Sequence, residues 1–187
     1  YSASKAAQEL VAASFRDAYG MRIATARAGN VIGGGDWAAD RIVADLARAA
    51  AAGEPLHVRS PAAVRPWQHV VNPLGGYLRL AERLAAGGEE WVRAWNFGPP
   101  PEDERTVGEL VEALAARWPR PVEVRLAPPG AGDGAEAPVL RLDSTLARER
   151  LGWTPPLRLD AALDATARWH GDPAGARAAT LADLRAF

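Results

Sequence analysis

Cysteine is absent, and of the 22 Lys and Arg side chains only one, Lys5, is a lysine. Without cysteine there is no disulfide and no thiolate zinc site, a composition that fits the cytoplasm. No stretch approaches the roughly 18 uninterrupted apolar residues of a membrane-crossing helix, so no membrane span is expected. An excess of charge is missing too. The formal net charge is -1, which argues against a nucleic-acid binder, since such a surface carries a basic surplus. The first residues hold no charged-then-apolar leader. What remains, with 48% hydrophobic residues over 187 positions, is a chain long enough for one sizeable core or a domain with an appended lobe. Alanine and arginine abound as though by coding bias. Against that background a retained lysine points to chemistry that a planar guanidinium does not perform.

Helix-forming residues, with Leu10, Val11, Ser14, Phe15 and Ala18 on one face, predict a helix over 2–19 that Gly20 ends. "MRIATARA" (21–28) alternates like a strand. The glycine-rich "GNVIGGGDW" (29–37) reads as a turn into a helix, "ADRIVADLARAAAAG", with Ile42, Leu46 and Ala49 inward. Short extended pieces follow in "LHVRS" and "VRPWQHVV", broken by Pro61 and Pro66. Asn72-Pro73 predicts a helix start, with Asn72 as the cap and Pro73 at the first helical position. "RAWNFGPP" reads as a buried strand. Thr106 and Glu109 have the spacing of a capping box before a helix whose Val107, Leu110, Val111, Leu114 and Trp118 share a face. "VEVRLA" (122–127) and "VLRLD" (139–143) read as strands around the loop "PPGAGDGAEAP", and "STLARERLG" as a small helix. Alternating helices and strands predict an α/β protein with part of a parallel sheet. Two or three strands before residue 75 are too few for a complete doubly wound domain. The chain is therefore expected to be the C-terminal part of a longer protein.

Tyr1 and Lys5 stand four apart at the head of the first helix, hence on one face and one turn apart. A phenol, with an ordinary pKa of about 10, is a poor base at neutral pH. An ammonium group within a few ångströms stabilises the phenolate and brings that value down. A phenol so tuned can take a proton from a sugar hydroxyl while hydride leaves the same carbon. The spacing alone is equally that of a terminal tyrosine and a solvated helix lysine.

"YSASKAAQELVAASFRDAYGMRIATARAGNVIGGGDW" resembles the extended short-chain dehydrogenase/reductase superfamily in its nucleotide-sugar branch. There a Tyr-x-x-x-Lys helix leads to a strand ending in Arg-x-x-Asn-Val, here Arg27 to Val31. Segments 26–41 and 64–70 ("VRPWQHV") look like the 4,6-dehydratases of that branch. Gly33-Gly34-Gly35, where other members carry Gly-Pro, favours those that act on CDP-linked glucose. The resemblance covers almost the whole chain, with its motifs concentrated before residue 100. It implies the C-terminal part of a Rossmann-like doubly wound sheet in 1–55, with 64–97 returning to it. The rest of 56–187 would be a smaller α/β substrate-binding lobe. It implies NAD as cofactor, CDP-glucose as the nucleotide-sugar substrate, and a homodimer through the 2–19 helix. Tyr1 and Lys5 would be catalytic, and Tyr1, Lys5 and Asn30 would contact the cofactor, Lys5 at the nicotinamide ribose. Oxidation at sugar carbon 4, loss of water across carbons 5 and 6, and return of hydride to carbon 6 would follow. An epimerase of the superfamily would share the oxidation without the elimination. A third reading is a module that binds sugar nucleotide but lacks the cofactor cradle.

The glycines of 29–35 also spell a dinucleotide-binding turn. Asp36 and Trp37 intervene before the helix, however, and no strand with an acidic end follows at the spacing of a ribose partner. The Tyr-Lys helix also precedes this loop, whereas in the superfamily it follows the cofactor turn. The glycines are expected instead to let backbone pass close to substrate or cofactor. Arg65 matches the arginine that grips the diphosphate in the resembled enzymes, and a guanidinium fork suits phosphate. Asn30, just past a strand's carboxyl end where ligands collect in α/β sheets, would bond a phosphate or a sugar hydroxyl, or cap a turn. Arg41 is a further phosphate candidate. Asn96 in "WNFG" reads either as a nucleotide contact or as a turn residue. Trp67 and Trp95 suit a base pocket or the core. His57, His69 and His170 lack metal-ligand spacing, so no metal is assigned. Ala135 stands where related dehydratases carry a histidine before "EA", which puts one nucleotide contact in doubt.

Overall fold

Residues 2–128 and 137–186 are described by a computed structural model. Tyr1, most of the 128–138 loop with Ala135, and Phe187 lie outside the described residues. Helix α1 (Ser2–Tyr19) leads to β1 (Thr25–Ala28) and β2 (Asn30–Ile32). Then come α2 (Ile42–Ala52), β3 (Leu56–Val58), β4 (Val64–Arg65), β5 (Trp67–His69), α3 (Val71–Ala86) and β6 (Ala94–Phe97). The remainder is β7 (Arg105–Thr106), α4 (Val107–Ala115), β8 (Val124–Leu126), α5 (Thr145–Leu151), α6 (Leu159–Gly171) and α7 (Ala176–Ala186). β1 pairs with β6, β2 with β5 and β3 with β8, all parallel, while β4 and β7 pair antiparallel. Helices joining parallel strands define an α/β architecture of Rossmann type.

The segment 25–32 organises the half of the chain that carries the candidate site. Thr25 and Gly29 donate their N–H groups to the carbonyls of Arg93 and Phe97 at 3.2 and 3.3 Å. Asn30 donates to Pro66 at 2.9 Å, and the Ile32 carbonyl accepts from Val70 at 2.9 Å. Odd and even peptide groups point to opposite edges of a strand. Hence β6 flanks one edge of the segment's first half, and β5 the other edge of its second half. Gly29 marks the exchange, because a Cβ there would sit 2.4 Å from the Pro66 carbonyl oxygen. The sequence reading placed a turn at residues 30–32. They are a strand instead, and the turn begins at Gly33.

Two apolar clusters hold the chain. One joins Ile32 and Trp67 to Val43, Leu46, Leu56, Val58, Leu110, Val111, Leu114, Leu159 and Leu163. The other gathers Leu80, Trp95, Phe97, Leu151 and Trp153. Helix α4 begins as its sequence predicts: the Thr106 hydroxyl accepts from the Glu109 N–H at 3.1 Å, and the Glu109 carboxylate accepts from the Thr106 N–H at 2.8 Å. Such a cap stabilises a helix by about 1 kcal/mol. Trp118 lies past the end of α4 yet still packs on the first cluster.

Two local expectations are corrected. Asn72 is not a cap: α3 starts at Val71, and the fully buried Asn72 amide donates to the Leu157 carbonyl at 2.8 Å and accepts from the Leu157 N–H at 3.1 Å. "VLRLD" forms no strand beyond a single bridge of Val139 to Val64. On α1, the residues turned toward the chain are the half-buried Glu9, Ala12, Ala13 and Arg16, spaced as one helical face. Leu10, Val11 and Phe15 are 73%, 57% and 43% exposed. Among the described residues no helix is long and apolar enough to cross a membrane.

Candidate active site

Helix α1 runs antiparallel to β1. Arg16 donates to the Ile23 carbonyl at 3.2 Å. Two turns earlier, the Glu9 carboxylate accepts from the Thr25 hydroxyl and from Arg27 Nε, both at 2.8 Å. Lys5 is one further turn back on the same helix face, which carries it past Arg27 toward the carboxyl end of β1. That end is where ligands collect in open parallel sheets. Lys5 is exposed, and Tyr1, four residues before it, lies outside the described residues.

Asn30 and Asn96 frame the same strand ends. Asn30 is half-buried, its N–H bonded to the carbonyl of Pro66, which follows Arg65. Asn96 stands opposite Arg27 in the β1–β6 register. Its side chain is engaged on both sides, accepting from Arg27 Nη1 at 3.4 Å and donating to the Asp143 carbonyl at 3.1 Å. The Phe97 carbonyl receives both the Gly29 N–H and the Gln68 amide, the latter at 2.6 Å. Arg65 is only 4% exposed, so it is not a surface arginine; one nitrogen donates to the Val64 carbonyl at 2.7 Å. It stands opposite Arg105 in the β4–β7 register. Arg105 also donates to the carbonyls of Glu102 and Glu104, both at 2.7 Å.

Other candidates stand elsewhere. Arg41, exposed, precedes α2 after the 33–40 loop, and no bond described ties it to the strand ends. Trp67 and Trp95 belong to the two cores, 5% and 1% exposed, with their indole N–H groups on the carbonyls of Arg105 and Trp91. They do not line a base pocket. Gly33-Gly34-Gly35 opens no helix, since α2 starts only at Ile42. What approaches the triplet closely is this chain's own α6: a Cβ at Gly34 would meet the Trp169 indole, and His170 Nε2 lies 3.4 Å from the Gly33 carbonyl oxygen. That close packing accounts for glycine at position 34.

His69 and His170 are buried, and burial pushes both imidazoles below their ordinary value, toward the neutral form. Among the described residues no group of three His, Cys, Asp or Glu could hold a metal ion. A shallow depression of about 580 Å³ beside Asp45, Arg48, Glu54 and His57 shares no residue with the strand ends. Glu9 was missed in the sequence reading. Its signal was present: it lies four residues after Lys5, on the same helix face.

Parallel strand pairs with helices between them, and polar side chains at their carboxyl ends, define a Rossmann-like α/β protein. Residues 1–98 match the NAD dependent epimerase/dehydratase family, and the chain belongs to that family. It is 40% identical over 179 residues to a CDP-glucose 4,6-dehydratase of Salmonella typhimurium strain LT2, covering 91% of this chain and 49% of that protein. A dTDP-4-dehydro-6-deoxy-D-allose reductase of Streptomyces bikiniensis is 30% identical over 179 residues, covering 90% of this chain and 49% of that protein. The chain thus spans about half the length of both relatives. Among solved structures, the dTDP-glucose 4,6-dehydratase DesIV of Streptomyces venezuelae, determined with NAD, superposes with a TM-score of 0.77 at 25% identity. The match covers 94% of this chain and 52% of that one.

Proposed function

We propose that this chain is the catalytic-lysine and sugar-nucleotide half of a nucleotide-sugar 4,6-dehydratase that acts on CDP-glucose. The observation that carries the reading is the tie of Glu9 to Thr25 and Arg27, which turns the Lys5 end of α1 toward the strand ends where Asn30 and Asn96 stand. The 40% identity to the Salmonella enzyme supports the CDP-sugar substrate. In this reading Tyr1 is the base that takes the proton from the sugar's carbon-4 hydroxyl, and the Lys5 ammonium serves to stabilise the phenolate. NAD held at this end would supply the acceptor for the hydride of that carbon and the donor for its return at carbon 6. Lys5 and Asn30 suit the nicotinamide-ribose end of the cofactor. Among the described residues no glycine turn opens into a helix to cradle the pyrophosphate. Asn30 turns its amide to a substrate hydroxyl or phosphate, and Arg65, with Arg105 opposite, neutralises the diphosphate. Asn96, held by Arg27 and Asp143, shapes the strand end beside them.

In this reading residues 1–55, with β5, α3 and β6 returning, form the NAD-facing part, and the remainder is the sugar-nucleotide lobe. The pairing of 25–28 with 94–97 supports that division. The exposed Leu10, Val11, Phe15 and Tyr19 of α1 suit a homodimer through this helix. The test is a protein of the relatives' full length that carries this chain, incubated with CDP-glucose and NAD. A product lighter by one water with no net reduction of NAD supports the dehydratase. An isomer of unchanged mass identifies an epimerase, and no conversion despite bound CDP-glucose identifies a binding module.

A further inference from the structure

We infer that Glu9 is a positioning residue for Lys5, pinning the small-residue face of α1 to β1 and so fixing the lysine at the carboxyl end of the strands. Its catalytic consequence rests on the function proposed above; the pinning itself does not. No residue of α1 is buried. The face turned to the chain offers Ala12 and Ala13, which supply little apolar area, so hydrophobic burial cannot set the helix's register on the sheet. The polar contacts can. One Glu9 oxygen accepts from Thr25 Oγ1 and the other from Arg27 Nε, both at 2.8 Å.

An isolated exposed ion pair fixes little. Here one carboxylate grips two residues that lie two apart on one face of one strand, which prevents both sliding and rolling of the helix. Arg27 continues the tie to Asn96, and Asn96 to the Asp143 carbonyl, so the anchor spans α1, β1, β6 and the segment before α5. The Arg27 hydrogen bond, the largest influence, holds the Glu9 carboxyl below its usual range, so the pin stays charged at neutral pH.

The role separates from general stability because Lys5 tunes an acid-base group. With Glu9→Ala, the helix that carries Lys5 loses its tie to β1. In the full-length protein, kcat should then fall roughly 10- to 100-fold while KM for the nucleotide sugar stays within about twofold. The acid limb of the kcat/KM profile should move to higher pH. Glu9→Gln keeps an acceptor oxygen for Thr25 or Arg27 and should recover part of both effects. In this 187-residue chain, amide exchange in α1 should quicken about tenfold in Glu9→Ala. Unchanged α1 exchange, or an acid limb that stays in place, would overturn the inference. A full-length parent that converts no nucleotide sugar would defeat the proposed function instead, with α1 exchange still deciding whether Glu9 pins the helix.

Discussion

Trp169 packs against the backbone of Gly34 so closely that a Cβ added at that glycine would overlap the indole. The contact joins the turn after β2 to α6, and Trp37 and Trp118 complete an aromatic surround for the neighbouring His170. Gly34→Ala must therefore displace a tryptophan or the turn. Overpacking of this kind costs about 1–3 kcal/mol. Urea denaturation should show the loss, and combining Gly34→Ala with Trp169→Ala should cost less than the sum of the two. Strict additivity would show that the indole does not oppose the new methyl group.

The Asn72 amide is the next tie that a single substitution breaks. It bonds both backbone groups of Leu157, while the Asn72 carbonyl accepts from Trp153 Nε1 at 3.0 Å. Asn72→Ala leaves the two Leu157 groups without their partner, at about 1–3 kcal/mol for each that stays buried. Asn72→Asp keeps the acceptor but sets a buried carboxylate against the Leu157 carbonyl, so at neutral pH its chemical-denaturation midpoint should fall at least as far as that of the alanine variant. An aspartate midpoint well above the alanine one would show that the accepting bond alone holds Leu157.

These two contacts show what the sequence could reveal. The Thr106–Glu109 box was legible because both partners sit within one turn, and local chemistry decides it. Asn72 was misread as a cap because the Leu157 that claims it is 85 residues away. Nothing local to the glycine triplet announces the approach of Trp169 to Gly34. For α1 the spacing revealed an apolar face but not which face meets this chain; that answer came from Glu9, through residues on β1. Lys5 stands out by chemistry, as the one ammonium among guanidiniums, and the helix direction turns it toward the strand ends.

The buried histidines set an acid limit on the fold. Burial is the main cause lowering the His69 imidazole, with Asp183 opposing and Arg168 assisting; at His170 the Gly33 carbonyl and Asp36 oppose it. His69 Nε2 and His170 Nδ1 have no hydrogen-bond partner among the described residues. Both rings have an ordinary value of 6.5, so the unfolded chain takes up protons near that pH while the folded chain resists. The unfolded state then binds more protons, and stability, complete above 6.5, falls as pH drops below it. The slope is at most about 1.4 kcal/mol per pH unit for each histidine. Carboxylates such as Glu9, held below 4.5, contribute only at lower pH. Thermal melts between about pH 7 and 5 should show the decline, and His69→Leu should flatten it. An unchanged slope would mean that His69 takes its proton in the folded state as readily as in the unfolded one.

Lys5 offers the cleanest separation of chemistry from folding. It sits on the exposed head of α1, so Lys5→Met should change stability by no more than about 0.5 kcal/mol. In the full-length protein the phenol would lose the charge that lowers its pKa, and turnover should fall on the order of 100-fold. The acid limb of the rate profile should move to higher pH, because a less acidic phenol deprotonates later. Lys5→Arg restores the charge on a planar fork rather than a compact ammonium, so it should recover the pH limb more fully than the turnover. A methionine variant with undiminished turnover would remove Lys5 from the reaction and leave Glu9 holding a helix for some other purpose. A variant with low turnover but an unmoved limb would instead assign Lys5 to holding the nicotinamide ribose, without a part in tuning the phenol.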